Sequence, residues 1–185
     1  MPYTKNIIKI KLSLLIFIFL INYSAFSQEK KGIVAIYGAE NEILPKKGDT
    51  IKEYYKNTKA LKYVKYIDKE YLYIIGYYED GTKDILKRFP LSNLKDKTLT
   101  FYYNNGSIKK VANYISGRAS GKFTEYYKNE VLKSIKYYNR IRKDSIWSFF
   151  NKDGQLLKKE FYDMGRLLKK ESYDKGVLLK KEEYN

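Results

Sequence analysis

The sequence predicts an all-β protein, an antiparallel meander of repeated β-hairpins, on three observations. Tyrosine is abundant, 21 of 185 residues, and aromatics make up 17% of the chain; aromatic and β-branched side chains suit a pleated, half-buried surface. A short motif recurs first every 24 residues and then every 11, steps too short for two parallel strands joined by a crossover helix. Asn-Gly and Asp-Gly pairs punctuate the chain, and these residues tolerate the positive φ that tight reversals need.

From the N-terminus, residues 1–27 read as a secretory signal peptide. Lys5, Lys9 and Lys11 form a positive stretch with no acid, Leu12 to Ile21 is an apolar run interrupted only by Ser13, and Ala25 and Ser27 are small residues before Gln28. A spanning helix needs about 20 apolar residues, so this shorter run is expected to be cleaved rather than to anchor the chain. The ending Ala25-Phe26-Ser27-Gln28 resembles signal peptides of Bacteroidetes-type bacteria. The formal net charge is +16, and +13 remains without those three lysines, so the expected mature chain is strongly basic.

Residues 28 to 97 form a less regular β segment, either a cap or degenerate repeats. Ile33 to Tyr37 reads as a strand, and Tyr71–Tyr78, Asp80-Gly81 and Ile85–Phe89 read as a hairpin. The stretch from Ile51 to Leu61 fits either a short helix or a strand. Pro45 and Pro90 are expected in connections. Because terminal repeats must shield their exposed ends, capping is the preferred role.

Residues 98–185 hold the repeats. Tyr102-Tyr103-Asn104-Asn105-Gly106 aligns with Tyr126-Tyr127-Lys128-Asn129-Glu130 and with Phe150-Asn151-Lys152-Asp153-Gly154, and a second set runs Tyr114…Gly117, Tyr138…Ile141, Tyr162…Gly165. Each 24-residue unit therefore holds two strands. Thereafter Gly154, Gly165 and Gly176 open three near-identical copies 11 residues apart, carrying Tyr162, Tyr173 and Tyr184 in step; each is one strand with its turn. Alternation places Leu99, Phe101 and Tyr103 on one face of a strand, opposite Thr98, Thr100 and Tyr102.

This pattern resembles the bacterial MORN-type repeat, over about residues 71–185. Gly106, Tyr114, Gly117, Gly121 and Phe123 match in the first unit, and Gly154, Tyr162 and Gly165 in the third. Trp147 and Phe149-Phe150 match the aromatic strand before the third glycine. The second unit departs, with Glu130, Ile141 and Ser145 where glycine is expected, and the last copies are shortened. The chain also resembles the YwqK-type antitoxin family and exported Bacteroidetes proteins. The resemblance implies an elongated sheet of stacked hairpins and, since MORN repeats mostly mediate protein or lipid contacts, a binding role.

Composition narrows the chemistry. With no cysteine and no histidine, the chain lacks disulfides, thiolate zinc sites, a lipoprotein cysteine and the usual general base. No cofactor and no catalytic residue is expected. An enzyme acting on an envelope polymer would need an Asp/Glu pair at a defined separation, and none stands out. Two Ser-x-x-Lys tetrads, Ser92–Lys95 and Ser107–Lys110, lack the helix and partner motifs of penicillin-binding enzymes. Asp80, Asp153 and Asp174 are isolated among lysines, which fits turn chemistry better than calcium.

The Lys-Lys-Glu triplets admit two readings. They form a solvated face of cross-strand ion pairs that also guards the edge, or Lys158, Lys159, Lys169, Lys170, Lys180 and Lys181 line a binding face for an anionic partner. Single-stranded nucleic acid would suit lysines among tyrosines, but export argues against it. The expectation is an exported, periplasmic or outer-surface, non-enzymatic binding or scaffold module, engaging a protein or an anionic lipid or glycan. The alternative is an antitoxin or immunity protein facing an acidic toxin. No transmembrane helix is expected after signal cleavage.

Overall fold

The computed structural model describes residues 43–185. The expected signal peptide, its expected cut site and the strand expected at Ile33–Tyr37 lie outside them. Within them the chain forms thirteen strands: β1 (Thr50–Tyr54), β2 (Leu61–Asp68), β3 (Tyr71–Tyr77), β4 (Lys83–Pro90), β5 (Lys97–Tyr102), β6 (Ile108–Ile115), β7 (Arg118–Ala119), β8 (Gly121–Tyr126), β9 (Leu132–Asn139), β10 (Arg142–Phe150), β11 (Leu156–Asp163), β12 (Arg166–Asp174) and β13 (Val177–Glu183). They build one antiparallel sheet in chain order, with the two-residue β7 on β6 beside β8. This is the predicted all-β meander. The ambiguous Ile51–Leu61 stretch contains a strand, β1, and Pro90 ends β4 opposite Tyr71 rather than lying in a connection.

Two kinds of turn alternate. At one sheet margin, the Tyr103 amide donates to Ser107 O and the Gly106 amide to Tyr103 O, and the same pair of bonds recurs at 78–82, 127–131 and 151–155. This is a type I turn closed by one left-handed residue. That residue is Gly81, Gly106, Glu130 or Gly154, with φ of 83°, 83°, 66° and 83°. The Asp-Gly and Asn-Gly pairs therefore end a three-residue loop instead of making a two-residue reversal. At the other margin, from β6 onward, the reversals do have two residues: Ser116-Gly117, Arg140-Ile141, Met164-Gly165 and Lys175-Gly176, all with positive φ at both positions.

The second unit keeps the repeat backbone without its glycines. Glu130, Ile141 and Ser145 hold φ of 66°, 76° and 56°. Such values cost a non-glycine residue roughly 1–2 kcal/mol, so neighbouring units must impose them. For Ile141 a hydrogen bond to the preceding unit does so. The Ile141 amide donates to Ala119 O at 2.7 Å, as Gly117 does to Lys95 O at 3.0 Å and Gly165 to Lys143 O at 2.8 Å. At the opposite margin, Tyr103 Oη donates to Tyr126 O and Tyr127 Oη to Phe150 O, both at 2.8 Å. Asn105 and Asn129 clamp Lys128 O and Lys152 O in the same step. Tyr55 donates to Tyr77 O at 2.9 Å, extending this clamp into the irregular N-terminal segment.

Register puts the core on one face. Leu72, Ile74, Phe89, Ala112, Phe123, Trp147 and Tyr162 are buried, and pairing across the strands aligns them on the same side. Leu94, from the loop after β4, packs on Leu72, Ile74 and Phe89. Further along, the rings of Tyr114, Phe123, Tyr138, Trp147 and Tyr162 touch in series, with centroids 4.7–5.7 Å apart. Each such pair adds about 0.5–1.5 kcal/mol beyond burial. This aromatic ladder does the work that a second layer does in a sandwich, and it explains why Tyr114, Tyr138 and Tyr162 recur.

Candidate binding face

Side chains of successive strand residues point to opposite faces. The two lysines of each Lys-Lys-Glu triplet are therefore separated, and the expected six-lysine face is divided. Lys158, Lys170 and Lys180 lie on the ladder face, because Phe149 opposes Lys158, Lys158 opposes Ser172, Glu160 opposes Lys170 and Ser172 opposes Lys180. Lys159, Lys169 and Lys181 lie on the back face. The 11-residue step is odd, so a repeat position also changes face from one strand to the next. Thus Tyr162 belongs to the ladder, whereas Tyr173 is on the back, donating to Glu171 at 2.6 Å beneath the Lys159 ammonium.

The triplet charges are matched mainly along the strand rather than across it. Lys158–Glu160 (2.7 Å), Lys169–Glu171 (2.9 Å), Lys180–Glu182 (2.6 Å) and Lys181–Glu183 (2.7 Å) are two residues apart, and Lys170–Glu182 (3.6 Å) is the one cross-strand pair among them. Lys169 also sits 3.8 Å from the Phe161 ring centroid. Exposed pairs of this kind contribute about 0–1 kcal/mol each.

The ladder face carries lysines that the triplets did not signal. Lys136 pairs with Glu125 at 3.2 Å. Lys87, Lys97, Lys109, Lys110, Lys133 and Lys143 stand on it or line its clefts, and among the described residues none has a carboxylate within salt-bridge distance. Lys143 lies 4.7 Å from the centroids of both Trp147 and Tyr162 and donates to Tyr162 Oη at 3.1 Å. That hydrogen bond raises the Lys143 pKa. Tyr162 in turn donates to Glu160 at 3.0 Å. Burial pushes the Glu160 carboxyl up, but hydrogen bonds from Lys158 and Tyr162 outweigh it and hold the group below the usual range. Burial, with the neighbouring Lys87 charge, lowers Lys97.

Two open clefts border this face. The larger, about 460 Å³, is lined by Tyr127, Lys133, Phe149, Phe150, Leu157, Lys158, Lys170 and Ser172. The smaller, about 250 Å³, is lined by Tyr78, Asp84, Phe101, Tyr102, Lys109 and Lys110. Both form where a register shift opens the ladder, between Phe101 and Tyr102 and between Phe149 and Phe150. Lys109 and Lys133 are one 24-residue step apart, a signal readable in the sequence once the bulge position is known.

Ser107 and Asp80, weighed above for catalysis and for calcium, make turn hydrogen bonds. Ser107 is buried, and its hydroxyl donates to Asn105 Oδ1 at 2.7 Å inside the loop, with Lys128 O at 3.3 Å. Asp80 accepts from the Thr82 amide at 2.8 Å and its hydroxyl at 2.6 Å. Among the described residues the buried polar side chains are Ser107 and Ser134, and no group of three or more acidic side chains comes together to hold a metal. Three of the five ladder rings are buried, Phe123 at 6%, Trp147 at 5% and Tyr162 at 9% exposure, and Tyr114 and Tyr138 are half-buried. No family model matches the chain, and no curated protein matches it.

Proposed function

We propose that the chain is an exported, non-enzymatic binding or scaffold module that holds an anionic partner, a protein or an envelope lipid or glycan, against its ladder face. The observation that carries this reading is the cationic surplus there. Six lysines without a carboxylate partner among the described residues, Lys87, Lys97, Lys109, Lys110, Lys133 and Lys143, share the face and its clefts with the matched pairs. Mutual repulsion among them opposes folding, and an anionic partner would relieve it. The likeness to MORN-type repeats supports a contact-making role, and the signal-like residues 1–27 support export. No helix among the described residues is long and apolar enough to cross a membrane.

The test compares binding to envelope extract by three forms of the chain: unmodified, a ladder-face triple (Lys109→Gln, Lys110→Gln, Lys133→Gln) and a back-face triple (Lys122→Gln, Lys159→Gln, Lys181→Gln). The unmodified and back-face forms should retain material that salt releases, as the Debye length falls from about 10 Å to about 3 Å. The ladder-face form should lose it. Equal retention by the two triples refutes the assignment of the face.

A further inference from the structure

Eight residues oppose one another in a continuous row across the ladder face: Phe101, Lys110, Glu125, Ser134, Phe149, Lys158, Ser172 and Lys180, one from each strand from β5 to β13 on the main path. The two clefts lie on this row at corresponding repeat positions, with Leu157 of the larger standing where the smaller has Lys109, and with Asp84 lining only the smaller. Phe101, Tyr102, Lys109 and Lys110 of one become Phe149, Phe150, Leu157 and Lys158 of the other, each shifted by two 24-residue units. Lys110 and Lys158 are four strands apart, about 19 Å at ~4.8 Å per strand.

The ground between the clefts carries little net charge. Glu125 there is matched by Lys136, and Ser134, 2% exposed, has a hydroxyl with no hydrogen-bond partner. A small anion would engage one cleft. A chain bearing anionic groups along its length would engage both, and linking the two contacts raises affinity without any new one. We propose that this row is a track for a linear acidic polysaccharide laid across the strands. The inference rests on the anionic-partner reading above and names its ligand.

The cleft walls select the polymer. Beside the ammonium groups stand apolar surfaces, Leu157 and Phe150 in one cleft and Tyr78 in the other, which suit the C–H faces of sugar rings; polyphosphate would leave them uncovered. Successive nucleobases need a run of open ring faces to stack on, but Lys158 covers Phe149 at 4.3 Å, Lys83 covers Tyr102 at 5.3 Å and Lys133 covers Tyr127 at 5.7 Å, which leaves Phe150 uncovered in one cleft and Tyr78 in the other. Lys110, Lys158 and Lys170 are half-buried, so of the cleft lysines a flat bilayer would reach mainly the exposed Lys109 and Lys133.

The experiment measures affinity of the full chain for polygalacturonate and digalacturonate, with polyphosphate, single-stranded DNA and phosphatidylglycerol vesicles as further arms. Polygalacturonate should bind about 100-fold tighter than digalacturonate. Lys109→Gln and Lys133→Gln each disable one cleft at an exposed side chain and should each lower polymer affinity about tenfold, removing most of the bivalent gain. Lys122→Gln on the back face should change nothing, and melting curves should show all three variants folded. Polymer binding no tighter than dimer binding, or an equal effect of Lys122→Gln, overturns the track. Tighter binding of vesicles, DNA or polyphosphate, lost on ladder-face substitution, overturns the polysaccharide while leaving the anionic-partner reading standing. Failure of every anion to bind overturns both.

Discussion

Ile141 offers a direct test of how the repeats hold their shape. It occupies the second position of a two-residue reversal at φ 76°, where equivalent turns place Gly117 and Gly165. A β-branched residue there is strained by roughly 1–2 kcal/mol. Its side chain is 65% exposed, so Ile141→Gly sacrifices little burial. Glycine brings extra unfolded-state freedom, a cost of about 0.5–1 kcal/mol. The net expectation is a gain of about 0.5–1 kcal/mol, or a rise in Tm of about 2–4 °C for a sheet of this size. The reverse change, Gly176→Ile, meets no atom within 4 Å of an added Cβ, yet φ there is 83°, so strain alone should cost about 1–2 kcal/mol. Both are read by thermal and urea unfolding. A lowered Tm for Ile141→Gly, or no loss for Gly176→Ile, would show that backbone strain does not govern these turns.

Other outcomes follow from the same structure. Trp147→Ala should cost about 3–5 kcal/mol in urea unfolding, since it removes the ring joining Tyr138 to Tyr162 and the indole donation to Tyr137 O at 2.8 Å; Trp147→Phe should cost less. Tyr127→Phe deletes the clamp on Phe150 O and should cost about 1 kcal/mol, with faster amide exchange confined to the β8–β11 margin. Stability should fall in acid. Glu160, Glu171, Glu182 and Glu183 all have folded pKa values below the usual range, so their contribution is present above the unfolded carboxylate pKa and is lost as pH drops through the folded values. Glu160→Gln should therefore destabilise at neutral pH, and that effect should shrink as pH falls below the ordinary carboxylate range; a penalty independent of pH would exclude a charge origin.

Much of this molecule is legible in its sequence. The 24-residue step implies paired strands, because no crossover helix fits in it, and the glycines at 106, 117, 154, 165 and 176 mark reversals that the structure contains. The recurrence of Tyr114, Tyr138 and Tyr162 identifies packing residues, since an even step returns a side chain to the same face. What the sequence alone did not determine was everything that depends on register. Adjacent lysines such as Lys158 and Lys159 look like one basic patch along the chain, but the pleat sends them to opposite faces. Glu130, Ile141 and Ser145 look like lapses in the repeat, yet all three keep the left-handed backbone of the glycines they replace, and a hydrogen bond to the preceding unit holds Ile141 there. The row from Phe101 to Lys180 and the clefts along it exist only once bulges have shifted eight strands into alignment. Local propensity acts within a few residues and fixes strands and turns; facing and alignment arise from pairing between strands, which tertiary structure alone decides.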